Sequence, residues 1–152
     1  MVTIQDLHTR MMHRALDEAR AAIPAGEIPV GAVVYLEDGT VLATSHNQTK
    51  TRNDPTAHAE MLAARAAMAK LGDYLTEAYV AVTLEPCAMC AQALSYFRLK
   101  GVIFGAYDTK SGGTENGAQV LKYAHHKPQV IGGLIETECA HLLTTFFESK
   151  RL

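Results

Sequence analysis

Two short segments carry residue types that can do chemistry together: Pro55-Thr56-Ala57-His58-Ala59-Glu60 and Glu85-Pro86-Cys87-Ala88-Met89-Cys90. Cysteines three apart on a helix share a face and can chelate one ion, and imidazole is the usual companion of thiolate on zinc. Taken alone, Cys87-x-x-Cys90 is equally open to a structural zinc site, a redox pair and a catalytic zinc site. His58 supplies a third ligand. Two cysteines and one histidine leave a tetrahedral zinc with one open position, the catalytic arrangement, whereas a fourth ligand from His125 or His126 would close it into a structural one.

Both segments follow a proline at the start of an expected helix. There the helix dipole and the unpaired N–H groups of the first turn favour thiolates. Glu60 is harder to place, because two residues on from His58 it points roughly 200° round a regular helix. At the very end of a helix, however, both side chains can project past the terminus toward one site. A carboxylate beside the open position, but not bound to the ion, is a proton shuttle between an activated water and a substrate.

The elements that must hold these residues follow from periodicity. Apolar residues recur at helical spacing from Gln5 to Ile23 (Leu7, Met11, Ala15, Ala19, Ala22), and Pro24 with Gly26 closes that segment. Val30–Leu36 and Thr40–Thr44 flank Glu37-Asp38-Gly39 as a hairpin. Asp54-Pro55 predicts the start of an alanine-rich helix that Gly72 stops. Tyr79–Leu84 is a strand, Pro86 opens a helix to about Lys100, and Val102–Ala106 and Val130–Leu134 are further strands. Glu136–Lys150 is an amphipathic helix.

The order α-β-β-α-β-α-β, a long loop, then β-α predicts a mixed sheet with helices on both faces. The alanine-rich helix surface suits close approach, either to the sheet or to a second copy of the chain. The loop from Tyr107 to Gln129 is long for a compact domain, and such loops are often functional. Its glycines Gly112, Gly113 and Gly117 indicate only sharp turns of the backbone.

With 152 residues the chain has the length of one domain and can bury a sizeable core without disulfides. It is 48% hydrophobic and 20% charged, which excludes a disordered tail. No apolar run approaches the ~20 residues of a membrane span, and charge scattered through the N-terminus leaves no secretory apolar region. A cytoplasmic, membrane-free protein is expected. Three cysteines, two of them in one Cys-x-x-Cys, fit a metal or redox site better than a disulfide scaffold.

The net charge of −2 argues against a general nucleic-acid binder. Residues 98–127 nevertheless hold Arg98, Lys100, Lys110, Lys122 and Lys127 against Asp108 and Glu115. That local excess suits an anionic substrate, and equally an ordinary solvated loop. Cys139 is expected to be a small buried residue, and His141 a polar-face histidine, on the last helix.

HAE followed by PCAMC is a signature already described for zinc nucleobase deaminases, tRNA adenosine deaminase among them. With EIPVGAV, the segment of Asn47, DPTAHAE, VTLEPCAMCA, VIFGAYD and ECAHLLTTFFESKR, the chain resembles the bacterial tRNA-specific adenosine deaminases over nearly its whole length. The resemblance implies one zinc-dependent deaminase domain over residues 1–152, with a three-layer, cytidine-deaminase-like α/β fold and a mixed sheet of about five strands. It implies one zinc per chain on His58, Cys87 and Cys90, with Glu60 as proton donor and acceptor. Asn47 would hydrogen-bond the base, and Asp108 would line an RNA-contacting loop.

The reaction implied is hydrolytic deamination of adenosine to inosine at the wobble position of a tRNA anticodon stem-loop, with no organic cofactor. The base would be splayed into the pocket. A homodimer with shared active-site walls is implied as well. Phe146 and Phe147 read as core or interface packing, or as an RNA contact beside Lys150 and Arg151. The stretch from Lys110 to Pro128 departs from the family's common version, which bears on the RNA rather than on the chemistry. Two other readings stand beside this one: a deaminase of a free guanine, cytosine or cytidine, and a non-catalytic zinc-stabilised RNA-binding module. The basic 98–127 segment favours RNA over a free base, and Glu60 beside an open metal position favours an enzyme over the module.

Overall fold

The computed structural model describes residues 2–150, so the expectation for Arg151 lies outside the described residues. Helix α1 spans Ile4–Ala22. Thr3 accepts from the Asp6 N–H while the Asp6 carboxylate accepts from the Thr3 N–H, a reciprocal cap that fixes the helix start. Strands β1 (Gly31–Leu36) and β2 (Val41–His46) form the expected hairpin. They are followed by α2 (Ala59–Leu71), β3 (Ala78–Leu84), α3 (Ala88–Tyr96), β4 (Gly101–Ala106), β5 (Gln129–Ile131) and α4 (Glu136–Ser149).

The strands form one sheet in the order β2-β1-β3-β4-β5. β1 runs antiparallel to β2 and β3, and the β3–β4 and β4–β5 pairs are parallel. This is the α/β mixed five-stranded sheet expected from the sequence. Alternation along β1 decides the layers. Ala32 and Val34 join α2 residues Ala59, Ala63, Ala64 and Ala67 on one face, with Val80, Val82 and Phe104. Val33 and Tyr35 face Leu7, Met11, Met12 and Leu16 of α1 and Cys139 of α4 on the other. The alanine face of α2 therefore packs on the sheet. Gly31 is obligatory at the α1 crossing, because a Cβ there would collide with the Ala15 carbonyl and meet Ala19 N at 2.5 Å.

Several boundaries differ from expectation for local reasons. Asp54 does not cap α2: its carboxylate accepts from the N–H and hydroxyl of Thr56 in a tight turn, and the helix begins at Ala59. α3 starts at Ala88 and ends at Tyr96 rather than near Lys100, because Arg98 adopts φ +62° and reverses the chain. β5 stops at Ile131, where Gly132 lies tight against the Phe104 ring and Gly133 takes φ +83°. The long loop is irregular apart from a 3-10 turn at Val120–Tyr123. Cys139 is buried and His141 exposed, as expected. Among the described residues, no helix is long and apolar enough to cross a membrane.

Candidate metal centre and pocket

The late helix starts explain how His58 and Glu60 reach one site. His58 is the cap residue of α2, with extended backbone angles of φ −76° and ψ 152°, so the 200° helical separation does not apply to it. Glu60 sits one step inside the first turn. Cys87 caps α3 in the same way, at φ −69° and ψ 173°, and Cys90 lies three residues on. Each pair thus combines one residue before the helix with one in its first turn. Both helix N-termini aim at the same point.

There His58 Nδ1 lies 3.6 Å from Cys87 Sγ and 3.4 Å from Cys90 Sγ. All three ligand atoms fall within 4.8 Å of one another. Tetrahedral bonds of about 2.05 Å to nitrogen and 2.3 Å to sulfur require an N···S separation of about 3.6 Å. The residues present therefore fit zinc. His126 does not approach: its Nε2 lies 2.7 Å from the Leu99 carbonyl, so it does not close the site, and His125 is exposed.

The electrostatics suit a cation. The hydrogen bond from the Cys90 thiol lowers Cys87 to about 4 against the opposing effect of burial, with His58 adding to the drop. Cys90 moves up, because donating to Cys87 and burial both favour its thiol. His58 is held above the ordinary imidazole range by its hydrogen bond with Cys87. Metal binding requires both thiolates and a neutral imidazole, so it releases the protons that these ligands hold in its absence. Burial pushes Glu60 up to about 7, poised to take or give a proton near neutrality.

A cavity of about 190 Å³ opens onto these groups. Ile28, Val30 and Leu84 give it apolar walls, and Asn47, Glu60, Asp108 and Ser111 contribute polar ones. Every site residue singled out in the sequence lines this cavity or, for the buried Cys90, completes the cradle beside it. Asn47 is held by its backbone N–H, which donates to the Val30 carbonyl at 3.0 Å. Asp108 is half-buried; its carboxylate accepts from the N–H groups of Lys110 and Ser111.

Two residues were not singled out as site residues. Glu27 is fully buried and accepts from the Lys50 and Thr51 N–H groups and the Thr51 hydroxyl, pinning the loop after Asn47. Glu85 is buried and accepts five hydrogen bonds from residues 108–116. Burial alone would raise its pKa, but the bonds from Asn116, Asp108 and Thr114 hold it below the usual carboxylate range. The signal available in sequence was a carboxylate set at the end of an apolar strand, which must find donors if buried.

Residues 5–106 match the cytidine and deoxycytidylate deaminase zinc-binding region, and the fold and site together are those of a zinc-dependent deaminase. The chain belongs to the cytidine and deoxycytidylate deaminase family. It is 46% identical to a tRNA-specific adenosine deaminase of Agrobacterium fabrum (strain C58), over 95% of this chain and 96% of that one. A structure solved in a study of A-to-I editing by tRNA:A34 deaminases at the wobble position superposes with a TM-score of 0.85 at 46% identity. It covers 89% of this chain and 99% of the other. A guanine deaminase of Nitrosomonas europaea shares the fold, with a TM-score of 0.80 at 22% identity over 91% and 83% of the two chains.

Proposed function

We propose that this protein converts adenosine to inosine at the wobble position of a tRNA anticodon, acting as one deaminase domain with one zinc on His58, Cys87 and Cys90. The observation that carries the chemistry is the three-ligand cradle with a buried carboxylate beside it, outside the ligand set, at an open pocket. The 46% identity to a tRNA-specific relative along nearly the whole chain supports the substrate.

Held by His58, Cys87 and Cys90, zinc would lower the pKa of a water toward ~7 and so would supply a nucleophile at neutral pH. Glu60 takes a proton from the attacking water and hands it to the ring nitrogen beside the amino-bearing carbon as the water oxygen bonds to that carbon. Glu60 then takes the remaining proton of the added hydroxyl and passes it to the amino group; the carbonyl forms as the carbon–nitrogen bond breaks, and ammonia and inosine are the products. Asn47 hydrogen-bonds the base and Asp108 the flipped nucleotide, while Ile28, Val30 and Leu84 keep bulk water away from the reacting carbon. The enzyme works in the cytoplasm as a homodimer whose partner completes the walls around the anticodon loop.

Ammonia release and inosine formation on an adenosine-bearing anticodon stem-loop test this reading. Free adenosine, adenine, guanine, cytosine and cytidine are compared in parallel, with Glu60→Ala as control. Inosine in the RNA alone is the expected result. Turnover of a free base would discard the tRNA substrate, and silence on every substrate with zinc bound would discard the enzyme.

A further inference from the structure

The wall of the pocket that carries Asp108 and Ser111 belongs to a stretch, residues 108–116, without helix or strand, and both ends of it are tied to one side chain. Glu85 Oε1 accepts from the Asp108 N–H at 3.1 Å and from Asn116 Nδ2 at 2.8 Å. Its Oε2 accepts from the Thr114 hydroxyl and from the N–H groups of Glu115 and Asn116, each at 2.9 Å. A carboxylate offers about four lone-pair positions, so five donors saturate it. All five come from residues 108–116. Charge-assisted bonds of this kind are roughly twice as strong as neutral ones. The carboxylate cannot stay buried without the loop, and the loop has no ladder of its own to replace the carboxylate.

The same loop presses on the metal helix: the Gly113 N–H donates to the Pro86 carbonyl at 2.7 Å, and Gly112 bridges Cys87. We propose that Glu85 is a positioning residue for substrate capture, its carboxylate gathering residues 108–116 into the rigid wall against which the RNA docks. The proposal rests on the tRNA reading above. Glu85 moves no proton in the reaction. It acts through Asp108 and Ser111, the loop residues that reach the cavity.

The test is Glu85→Gln in the full zinc-loaded chain. An amide keeps the size and one acceptor oxygen but turns an N–H₂ toward donors that need an acceptor. Hydrogen–deuterium exchange should speed up across residues 108–116 while protection in the sheet holds and zinc content is unchanged. KM for the anticodon stem-loop should rise about tenfold, the equivalent of one charge-assisted bond, with kcat within about threefold. An equal fall in kcat with KM unchanged would overturn the proposal, as would a loosened loop with both constants intact or a loop whose exchange does not change. Should Glu85→Gln fail to fold, Thr114→Val and Asn116→Ala remove donors from the loop side and must show the same KM-selective loss; its absence in both overturns the assignment. Lack of turnover by the wild type would reject the tRNA reading, whereas the exchange measurement still decides whether Glu85 holds the loop.

Discussion

Gly113→Ala tests how tightly the long loop and the metal cradle are joined. A Cβ at Gly113 would lie 2.6 Å from Ala88 Cα, Ala88 N and the Cys87 carbonyl carbon. Those are backbone atoms of the α3 start, so no flexible side chain can swing aside. Nor can the loop lift freely, because the Gly113 N–H donates to Pro86 and its carbonyl accepts from Val120 at 2.9 Å. Overpacking a fixed contact costs about 1–3 kcal/mol, and breaking both hydrogen bonds instead costs about 1 kcal/mol each. The two routes together bracket a destabilisation of about 1–3 kcal/mol, a fall in Tm of roughly 2–12 °C for a domain of this size.

Because Cys87 is the residue displaced, zinc affinity should fall together with stability, by about 10–100-fold in chelator competition, the range for residues that orient a ligand. Gly72→Ala is the matched control. Gly72 sits at φ +76° with nothing within 4 Å of its Cβ direction, so alanine there costs about 1 kcal/mol of backbone strain and should leave zinc affinity alone. If Gly113→Ala binds zinc as the wild type does, or melts no lower than Gly72→Ala, the loop yields without moving Cys87 and the reasoning is wrong.

Glu60→Gln keeps the shape of the buried shuttle and removes its basicity. Zinc content should be unchanged and kcat lower by about 10²–10⁴-fold, and loss of zinc in this variant would contradict the assignment of Glu60 as a non-ligand. Cys87→Ala removes one of three ligands, so most of the zinc and the metal-dependent part of Tm should go with it; full occupancy with normal turnover would sink the ligand assignment. His8 is buried against Tyr79 with Nδ1 2.7 Å from the Tyr35 hydroxyl, and burial lowers its pKa from 6.5 despite a pull from Glu37. The unfolded chain therefore takes up a proton that the folded chain refuses. The stabilisation is complete above pH ~6.5 and is lost as pH falls from there toward the lowered folded pKa, at no more than about 1.4 kcal/mol per pH unit. Urea unfolding of wild type and His8→Phe between pH 7 and 5 should show a steeper decline in the wild type, and parallel slopes would rule the mechanism out.

Much of this architecture is legible in the sequence because it depends on local rules. Alternation in β1 and the 3.6-residue spacing of α1 each arise from one buried face, and one buried face leaves a period. The metal residues are legible for a chemical reason: His, Glu and two Cys at those spacings have few other uses, and the spacing signals a shared site whatever backbone shape brings them together. A chelating pair on one regular helix face is not what forms. Both His58 and Cys87 stand outside their helices as extended caps, which is why residues two and three apart converge. The expected cap for α2, Asp54, was taken by a closer competitor, the N–H and hydroxyl of Thr56 two residues on.

What periodicity cannot carry is a loop organised from outside itself. Residues 108–116 look structureless because their order comes from Glu85, 23 to 31 positions away in the chain, and not from any repeat of their own. The loop glycines have separate reasons: Gly117 takes φ +56°, a turn conformation, and a Cβ at Gly112 would meet the Glu85 carboxylate. Gly113 is required by the backbone it touches and not by a left-handed φ. A pocket wall built in this way can vary in length and composition so long as its donors still reach the carboxylate. The metal cradle has no such freedom, since each ligand is tied to a helix start in the core. Substitutions in that wall that spare the donors to Glu85 and the contact of Gly113 with the α3 start can therefore reshape the cavity mouth without moving Glu60.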